Sequence, residues 1–505
     1  MTQKYGDKKV YAPGTVIISA AGEVSNVRKV VSPVIKKTSS TLYYIDFSGD
    51  ELRLGGSALA QTLNHIGSEA PTVKDPQRFA AAFNAINSLA AKNMLLAMHD
   101  ISAGGLVTTL LEMTFANRRC GLAIDIAGFG ENDVVKVLFA ENPALVIQIS
   151  NGQKANVEKL LADACVRFFA IGRTTSDRAI YIKNNGADIS KLEINALRDV
   201  WFKPSYLLDC RQSGKRCAHS RYHNYKHQAI EYVFPEGFDG KLASRGISLS
   251  RKKRTGIRAA IIREKGVNGD REMAFSLYLA RFDVKDVHMS DLMSGRETLD
   301  DVNMIVFCGG FSNSDVLGSA KGWASGFLYN QTAAETLRRF YARKDTLSLG
   351  ICNGCQLMIE LNLINPEHEH RTRMEHNISH KFESQFLSLT IPENNSVMFG
   401  SLSGSKLGIW VAHGEGRFML PESLEKYNVI AQYTFDSYPG NPNGSKAAVA
   451  GICSADGRHL AMMPHLERAI FPWQCGYYPY ASRRDEVTPW IDAFINARKW
   501  IEEHS

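Results

Sequence analysis

TLSLGICNGCQLMIELN (residues 346–362) is the stretch on which the fold turns. Its apolar run ending at Ile351 has the length of a buried strand, and the spacing from Gln356 onward is helical. Between them Gly350, Ile351, Cys352, Asn353 and Gly354 make a Gly-x-Cys-x-Gly form of the nucleophile elbow. A nucleophile on a sharp strand-to-helix turn projects clear of the sheet, and flanking glycines let the backbone turn tightly. The helix behind it offers N-terminal amides and a positive dipole end, which favour a thiolate and receive an oxyanion. Cys352 and Cys355 also form a Cys-x-x-Cys pair, the spacing of a redox dithiol or of half a zinc site. The chain has no second Cys-x-x-Cys, which counts against zinc. A buried turn with two inert thiols is the plain alternative.

A nucleophile needs a base. RHLAMMPHLER (residues 458–468) begins as a strand and ends in His465-Leu466-Glu467. In extended chain, residues two apart share a face, so Glu467 can orient His465. Cys352, His465 and Glu467 are then nucleophile, base and orienter. A lone histidine at a strand end is usually structural; the cysteine elbow upstream favours the catalytic reading.

Around the elbow, apolar strands at 257–263, 284–288 and 304–308 alternate with helical or polar stretches. That alternation predicts an open parallel α/β sheet with its site at the strand C-terminal ends. Gly309, Gly310 and Phe311 follow one such strand. The amide of Gly310 can there oppose that of Asn353 across an oxyanion, each donor being worth roughly 3 kcal/mol.

Upstream, 15–20 reads as a strand and 75–93 as a helix with Phe79, Phe83, Ile86, Leu89 and Ala90 on its apolar face. Leu54-Gly55-Gly56-Ser57 opens a helix; Ser57 is an N-cap or part of a phosphate site, the cap being favoured. A strand at 95–98 leads into His99-Asp100-Ile101-Ser102-Ala103-Gly104-Gly105 and a helix over 106–115. A carboxylate, a hydroxyl and two glycines at a helix start suit Mg²⁺ and nucleotide phosphates, and suit a capped turn equally. Further strands are expected at 120–126 and 144–149, with a helix at 157–165. From 195 to 255 periodicity is poor. Cys210, Cys217, His219, His223 and His227 match no tetrahedral zinc spacing, and Arg251-Lys252-Lys253-Arg254 reads as a solvated boundary.

With 505 residues, 44% hydrophobic and 22% charged, the chain should hold two to four ordinary globular domains. A net charge of +7 is mild for this length and does not argue for nucleic acid. Nine cysteines without a framework suggest a reducing compartment. No run approaches the ~20 apolar residues of a membrane span, and no signal-peptide core begins the chain. A cytoplasmic location without membrane or nucleic-acid partners is expected.

Several segments together resemble the phosphoribosylformylglycinamidine synthase family of large single-chain type. They are the elbow, the His465–Arg468 segment, GGFSNSDVLGSAKGWA (309–324), HGEG (413–416), YPGNPNGS (438–445), RLGGSALAQ (53–61), HDISAGGL (99–106) and Ala12-Pro13-Gly14. The resemblance covers nearly the whole chain. It implies an aminoimidazole ribonucleotide synthetase-like α+β domain followed by a class I glutamine amidotransferase domain of flavodoxin-like, open parallel-sheet type. The expected boundaries are a synthetase-like remnant at 1–75, the α+β domain at 76–195, a linker at 196–255 and the glutaminase at 256–505. The family's activity is that of an ATP-dependent carbon–nitrogen ligase of purine biosynthesis with glutamine as amido donor. The resemblance makes Asp100 a magnesium ligand, Ser102 an ATP contact and Gln356 a glutamine contact. It leaves His413, Glu415 and 377–380 unassigned. It further implies that the formylglycinamide ribonucleotide site and most of the acyl-phosphate chemistry lie upstream of Met1, so that the chain is a C-terminal portion. Three departures stand out: Ala103 where many relatives have Asp, Asn313-Ser314 where many have Tyr-Gly, and Leu466 in place of Pro, which is expected to weaken positioning of the triad. The rivals are a truncated chain that binds nucleotide or partner without turnover, and a thiol-disulfide oxidoreductase built on Cys352 and Cys355.

Overall fold

Alternating side chains sort the first sheet. A computed structural model of the chain describes residues 2–11, 17–24, 26–482 and 484–504, which fall into two units, 1–202 and 203–505. In the first unit the strand Ser40–Asp46 buries Leu42 and Tyr44 in one core and Tyr43 and Ile45 in another, as a two-residue period requires. The sheet around it has seven strands. Their order is Ala97–Asp100, Ala144–Ser150, Ser40–Asp46, Arg167–Thr175, Gly121–Asp125, Ala179–Asn184 and Ala187–Glu193. Helix Gly105–Phe115 packs Leu106, Leu110 and Met113 on one face; Pro76–Ala91 and Lys154–Asp163 cover the other.

Four expectations change here. Ser40–Asp46 is a central strand, paired antiparallel on both sides with Ala144–Ser150 and Arg167–Thr175. It therefore shares its cores with the α+β domain and does not belong to a separate remnant. Helix Pro76–Ala91 buries Ile86 and Leu89 as expected, together with Ala82 and Ala85, but leaves Phe79 and Phe83 partly or largely exposed, so the inner face is two alanines with Ile86 and Leu89 and not the two phenylalanines. The strand expected at 15–20 has no counterpart over 17–20, and residues 12–16, including Ala12-Pro13-Gly14, lie outside the described residues. Residues 196–255 are no featureless linker either: helices Ile194–Gln212, which runs across the division, and Gly214–Asn224 occupy their first half.

The second unit is organised by a nine-stranded sheet. Asp283–His288, Arg258–Arg263, Met304–Phe307, Leu347–Ile351 and His459–Met462 are parallel neighbours in that order. Leu347–Ile351 is buried at every position, as a parallel strand covered on both faces must be. Beyond His459–Met462 the sheet turns antiparallel through Val449–Cys453, Asn428–Tyr433, Glu383–Thr390 and Lys406–His413. This half curls back, and its edge strand meets His465 through a bridge at Trp410. Among the described residues no helix is long and apolar enough to cross a membrane.

Candidate active site

Cys352 sits between the strand Leu347–Ile351 and the helix Asn353–Glu360 with φ 53° and ψ −107°. A non-glycine residue held there stores roughly 1–3 kcal/mol of strain. Two hydrogen bonds fix it: its N–H donates to Met462 O at 2.9 Å, and its carbonyl accepts from Gln356 N at 3.0 Å. The turn is possible because Gly354 has no side chain; a Cβ there would lie 2.0 Å from Phe307 O. The helix begins at Asn353, three residues before its apolar periodicity starts, because the elbow itself supplies its first turn.

His465 is fully buried beside the cysteine. Its N–H donates to Trp410 O at 2.9 Å, and Nδ1 meets Glu467 Oε1 at 2.6 Å. A Cβ on Gly309 would stand 2.8 Å from His465 Cε1 and 3.3 Å from Cys352 Cβ, so this glycine is the floor over which the two approach. Glu467 does not reach His465 along an extended strand as expected; it lies in the 3₁₀ turn Leu466–Arg468, which folds its carboxylate back onto the ring. The carboxylate is buried, with Arg468 Nε 3.7 Å away and the start of helix Asp270–Leu279 beside it, where a Cβ on Gly269 would lie 3.5 Å from Oε1. Burial alone would lower the His465 pKa; Glu467 and then the Cys352 side chain outweigh it and push it up to about 9. His465 Nε2 has no hydrogen-bond partner, while the Cys352 thiol donates to Ala412 O at 3.5 Å. Catalytic hydrogen bonds often align fully only when substrate binds. Leu466 is fully buried, and the 2.6 Å bond forms with leucine in place.

Two amides face the elbow without protein acceptors among the described residues, those of Gly310 and Asn353. The loop after Met304–Phe307 is laced to the 264–268 loop: Asn268 N donates to Gly309 O at 2.9 Å and Phe311 N to Gly266 O at 2.8 Å. That pairing leaves the Gly310 N–H free. Its φ of 128° and a Cβ position 2.6 Å from Gly266 O require glycine. Asn313 and Ser314 follow in left-handed backbone, φ 52° and 57°. Asparagine tolerates this; serine stands where a glycine would be unstrained.

Gln356 spends both ends of its amide inside the protein. Nε2 donates to Glu415 O at 2.6 Å and Oε1 accepts from Asn353 Nδ2 at 3.0 Å, tying the 413–416 turn to the nucleophile helix. Asn353 also holds the loop of Gly310, its Oδ1 accepting from Ser312 N at 3.1 Å. Asn377, buried, organises the same turn through His413 and Gly416. Its role had no sequence signal beyond a polar residue in a loop, because its partners lie 36 and 39 positions away. Cys355 is wholly buried on the helix, its thiol pushed well up by burial and by Cys352; no disulfide joins the pair.

In the first unit, Asp100 ends its strand with an exposed carboxylate, its Oδ1 3.1 Å from His99 Nδ1, and Ser102 is exposed in the following loop. The two helix starts with the character of a phosphate cradle are bridged by one side chain: Glu141 Oε1 accepts from Ala58 N at 2.7 Å and Gly104 N at 2.8 Å. Ser57 is a cap, accepting from Ala60 N at 3.2 Å. Among the described residues no three His, Cys, Asp or Glu side chains are placed to hold a metal. Asp100, at the strand end, and Ser102, in the loop after it, both lie exposed.

Residues 256–501 match the model of the CobB/CobQ-like glutamine amidotransferase domain, and 43–183 that of the AIR synthase related protein, C-terminal domain. The chain is thus of the class that joins an AIR synthase-related α+β domain to a glutamine amidotransferase domain. It is 37% identical to phosphoribosylformylglycinamidine synthase of Homo sapiens over 100% of this chain and 40% of the human one. To the probable chloroplastic/mitochondrial phosphoribosylformylglycinamidine synthase of Arabidopsis thaliana it is 38% identical, over 98% and 36%. A solved structure of PurLQS from Thermotoga maritima is 25% identical with TM-score 0.38, over 49% of this chain and 98% of that one. The chain belongs to the phosphoribosylformylglycinamidine synthase family, and it spans about two-fifths of the length of the curated relatives it matches.

Proposed function

We propose that this chain hydrolyses glutamine to glutamate and ammonia, as the ammonia-supplying part of a cytoplasmic purine-biosynthetic ligase. The observation that carries the reading is the placement of Cys352 on a strained elbow, with the buried His465–Glu467 pair at its side and two unengaged amides before it. His465 takes the Cys352 proton, and the sulfur attacks the side-chain amide carbon of glutamine. Gly310 and Asn353 amides hold the oxyanion while His465 returns its proton to the leaving nitrogen. Water then hydrolyses the thioester.

In the whole ligase, ATP with Mg²⁺ activates the formyl amide oxygen of formylglycinamide ribonucleotide for displacement by ammonia. Asp100 and Ser102 are the residues of this chain that would contact the magnesium nucleotide. The ribonucleotide is bound by sequence corresponding to the rest of the relatives' length. The alternative is a chain that binds a partner without turnover; Leu63, Ile66 and Phe83 are exposed on the first unit. The test is glutamate release from glutamine by this chain alone and mixed with a separately made N-terminal part. Release that rises on mixing, above all with ATP and the ribonucleotide, is expected; none from folded protein in either case would overturn the glutaminase reading in favour of that alternative.

A further inference from the structure

We propose that His413 Nε2 accepts a hydrogen bond from the departing ammonia and then from the water that takes its place to hydrolyse the thioester. The inference rests on the glutaminase reading above. It starts from the outer edge of the strand Lys406–His413, which carries isolated bridges to Val233 and His465. Alternate carbonyls of a strand point to the same edge. Here Trp410 O takes the His465 amide and Ala412 O takes the Cys352 thiol, so the edge runs along both reacting residues. His413 is the next residue, and its side chain is buried.

The ring's protonation is set by its neighbour. Asn377 Nδ2 donates to His413 O at 2.7 Å and to Lys381 O at 3.1 Å, and its Oδ1 accepts from Gly416 N at 3.1 Å. That orientation leaves Oδ1 facing His413 Nδ1 at 3.2 Å, so Nδ1 must carry the hydrogen. Nε2 is then a bare acceptor, and it has no partner in the protein. An unsatisfied buried acceptor costs free energy unless a ligand meets it. Burial, and then the charge of His465, hold this imidazole's pKa down to about 3. It therefore accepts a hydrogen bond without taking a proton, even beside an imidazolium.

Both partners occupy one position. When the tetrahedral adduct collapses, the C–N bond breaks, its electron pair stays on nitrogen, and His465 supplies the proton that completes ammonia. Water then enters from the side that ammonia left. Its oxygen bonds to the acyl carbon, its proton goes to His465, and the C–S bond breaks to return the sulfur. An acceptor on that side aims a lone pair of the water at the thioester.

The test compares His413→Leu and His413→Gln with the unaltered chain, incubated with glutamine in the presence of the separately made N-terminal part. For His413→Leu, hydrolysis should fall by about ten-fold or more, the worth of one well-placed hydrogen bond. The glutamyl thioester on Cys352 should accumulate by mass spectrometry. Hydroxylamine, a nucleophile that needs no such aiming, should draw the thioester off as the hydroxamate at close to the unaltered rate. His413→Gln, which keeps an acceptor, should recover most of the hydrolysis. Equal loss of acylation and hydrolysis in both variants, or thioester turnover in His413→Leu as fast as in the unaltered chain, would overturn the inference. Absence of glutamate release from the unaltered, folded chain would overturn the glutaminase reading and this inference with it.

Discussion

Glu467→Gln removes a charge and keeps an acceptor, and its consequences can be worked out beforehand. His465 is buried, yet its pKa stands at about 9 instead of 6.5, a preference for the imidazolium of roughly 3 kcal/mol. Burial opposes that rise, so the carboxylate of Glu467 and, after it, the Cys352 side chain must supply it. A group whose folded pKa is raised contributes stability that is fully present below the unfolded value and is lost as pH climbs through the folded one. In the unaltered protein the roughly 3 kcal/mol is therefore present below pH 6.5 and lost between there and about pH 9. With glutamine at 467 the dominant influence is burial, which pulls the histidine below 6.5 and reverses the slope: that variant loses stability as the solution is acidified. Denaturant unfolding at about pH 6 and about pH 9.5 measures both, and the difference between the proteins should shrink by most of 3 kcal/mol from the lower pH to the higher. Glutamate release should fall by about 100-fold, since the base loses the group that holds its charge. A stability difference that is the same at both pH values would refute the claim that charge, and not packing, holds His465 in place.

Other outcomes hang on single contacts. Cys352→Ala should abolish glutamate release, whereas Cys355→Ala, removing a wholly buried thiol, should cost about 1–2 kcal/mol of stability and leave the rate within about ten-fold; the reverse pattern moves the nucleophile. Gly309→Ala would put a Cβ 2.8 Å from His465 Cε1 and should cut kcat/KM by about 100-fold, at about 1–3 kcal/mol of stability; normal turnover would mean the two side chains react by another approach. Leu466→Pro gains about 0.4–1 kcal/mol by stiffening the unfolded chain but gives up a fully buried leucine, so net destabilisation of about 1–2 kcal/mol is expected; a higher melting temperature would show that packing at 466 counts for little.

The elbow was legible because its constraints are local. Gly350, Cys352 and Gly354 lie within five residues, and a tight strand-to-helix turn leaves few alternatives to glycine. The centre of the parallel half was legible for the same reason: Met304–Phe307 and Leu347–Ile351, buried on both faces, are short continuous runs of mostly apolar residues. What escaped were residues whose partners are distant in sequence. Glu141 reads as one more acidic residue until the fold carries it to the amides of Ala58, 83 positions away, and of Gly104, 37 away. Phe79 and Phe83 mislead because periodicity reports apolar residues and not which of them meet a core; on that helix Ile86 and Leu89 do, beside Ala82 and Ala85. The strand Ser40–Asp46 reads as part of a remnant because its partners, 144–150 and 167–175, come about a hundred residues later.

The site also shows why the nucleophile and the base could be read separately while their coupling could not. Cys352 belongs to the parallel half of the sheet, and His465 follows its last parallel strand. What fixes their relation is the antiparallel half, which curls back so that one strand edge offers Trp410 O to the His465 amide and Ala412 O to the Cys352 thiol. The same strand ends at His413, and the turn after it is tied by Gln356 to the nucleophile helix. A shift of one residue in the register of that strand, Glu383 against His413 through Thr390 against Lys406, would move both carbonyls and the second imidazole off the site at once. Positioning of the reacting groups is therefore a property of strand pairing far along the sheet, and a substitution such as Phe386→Gly, which removes a ring packed 5.0 Å from that of Trp410, should slow glutamate release without touching any reacting atom.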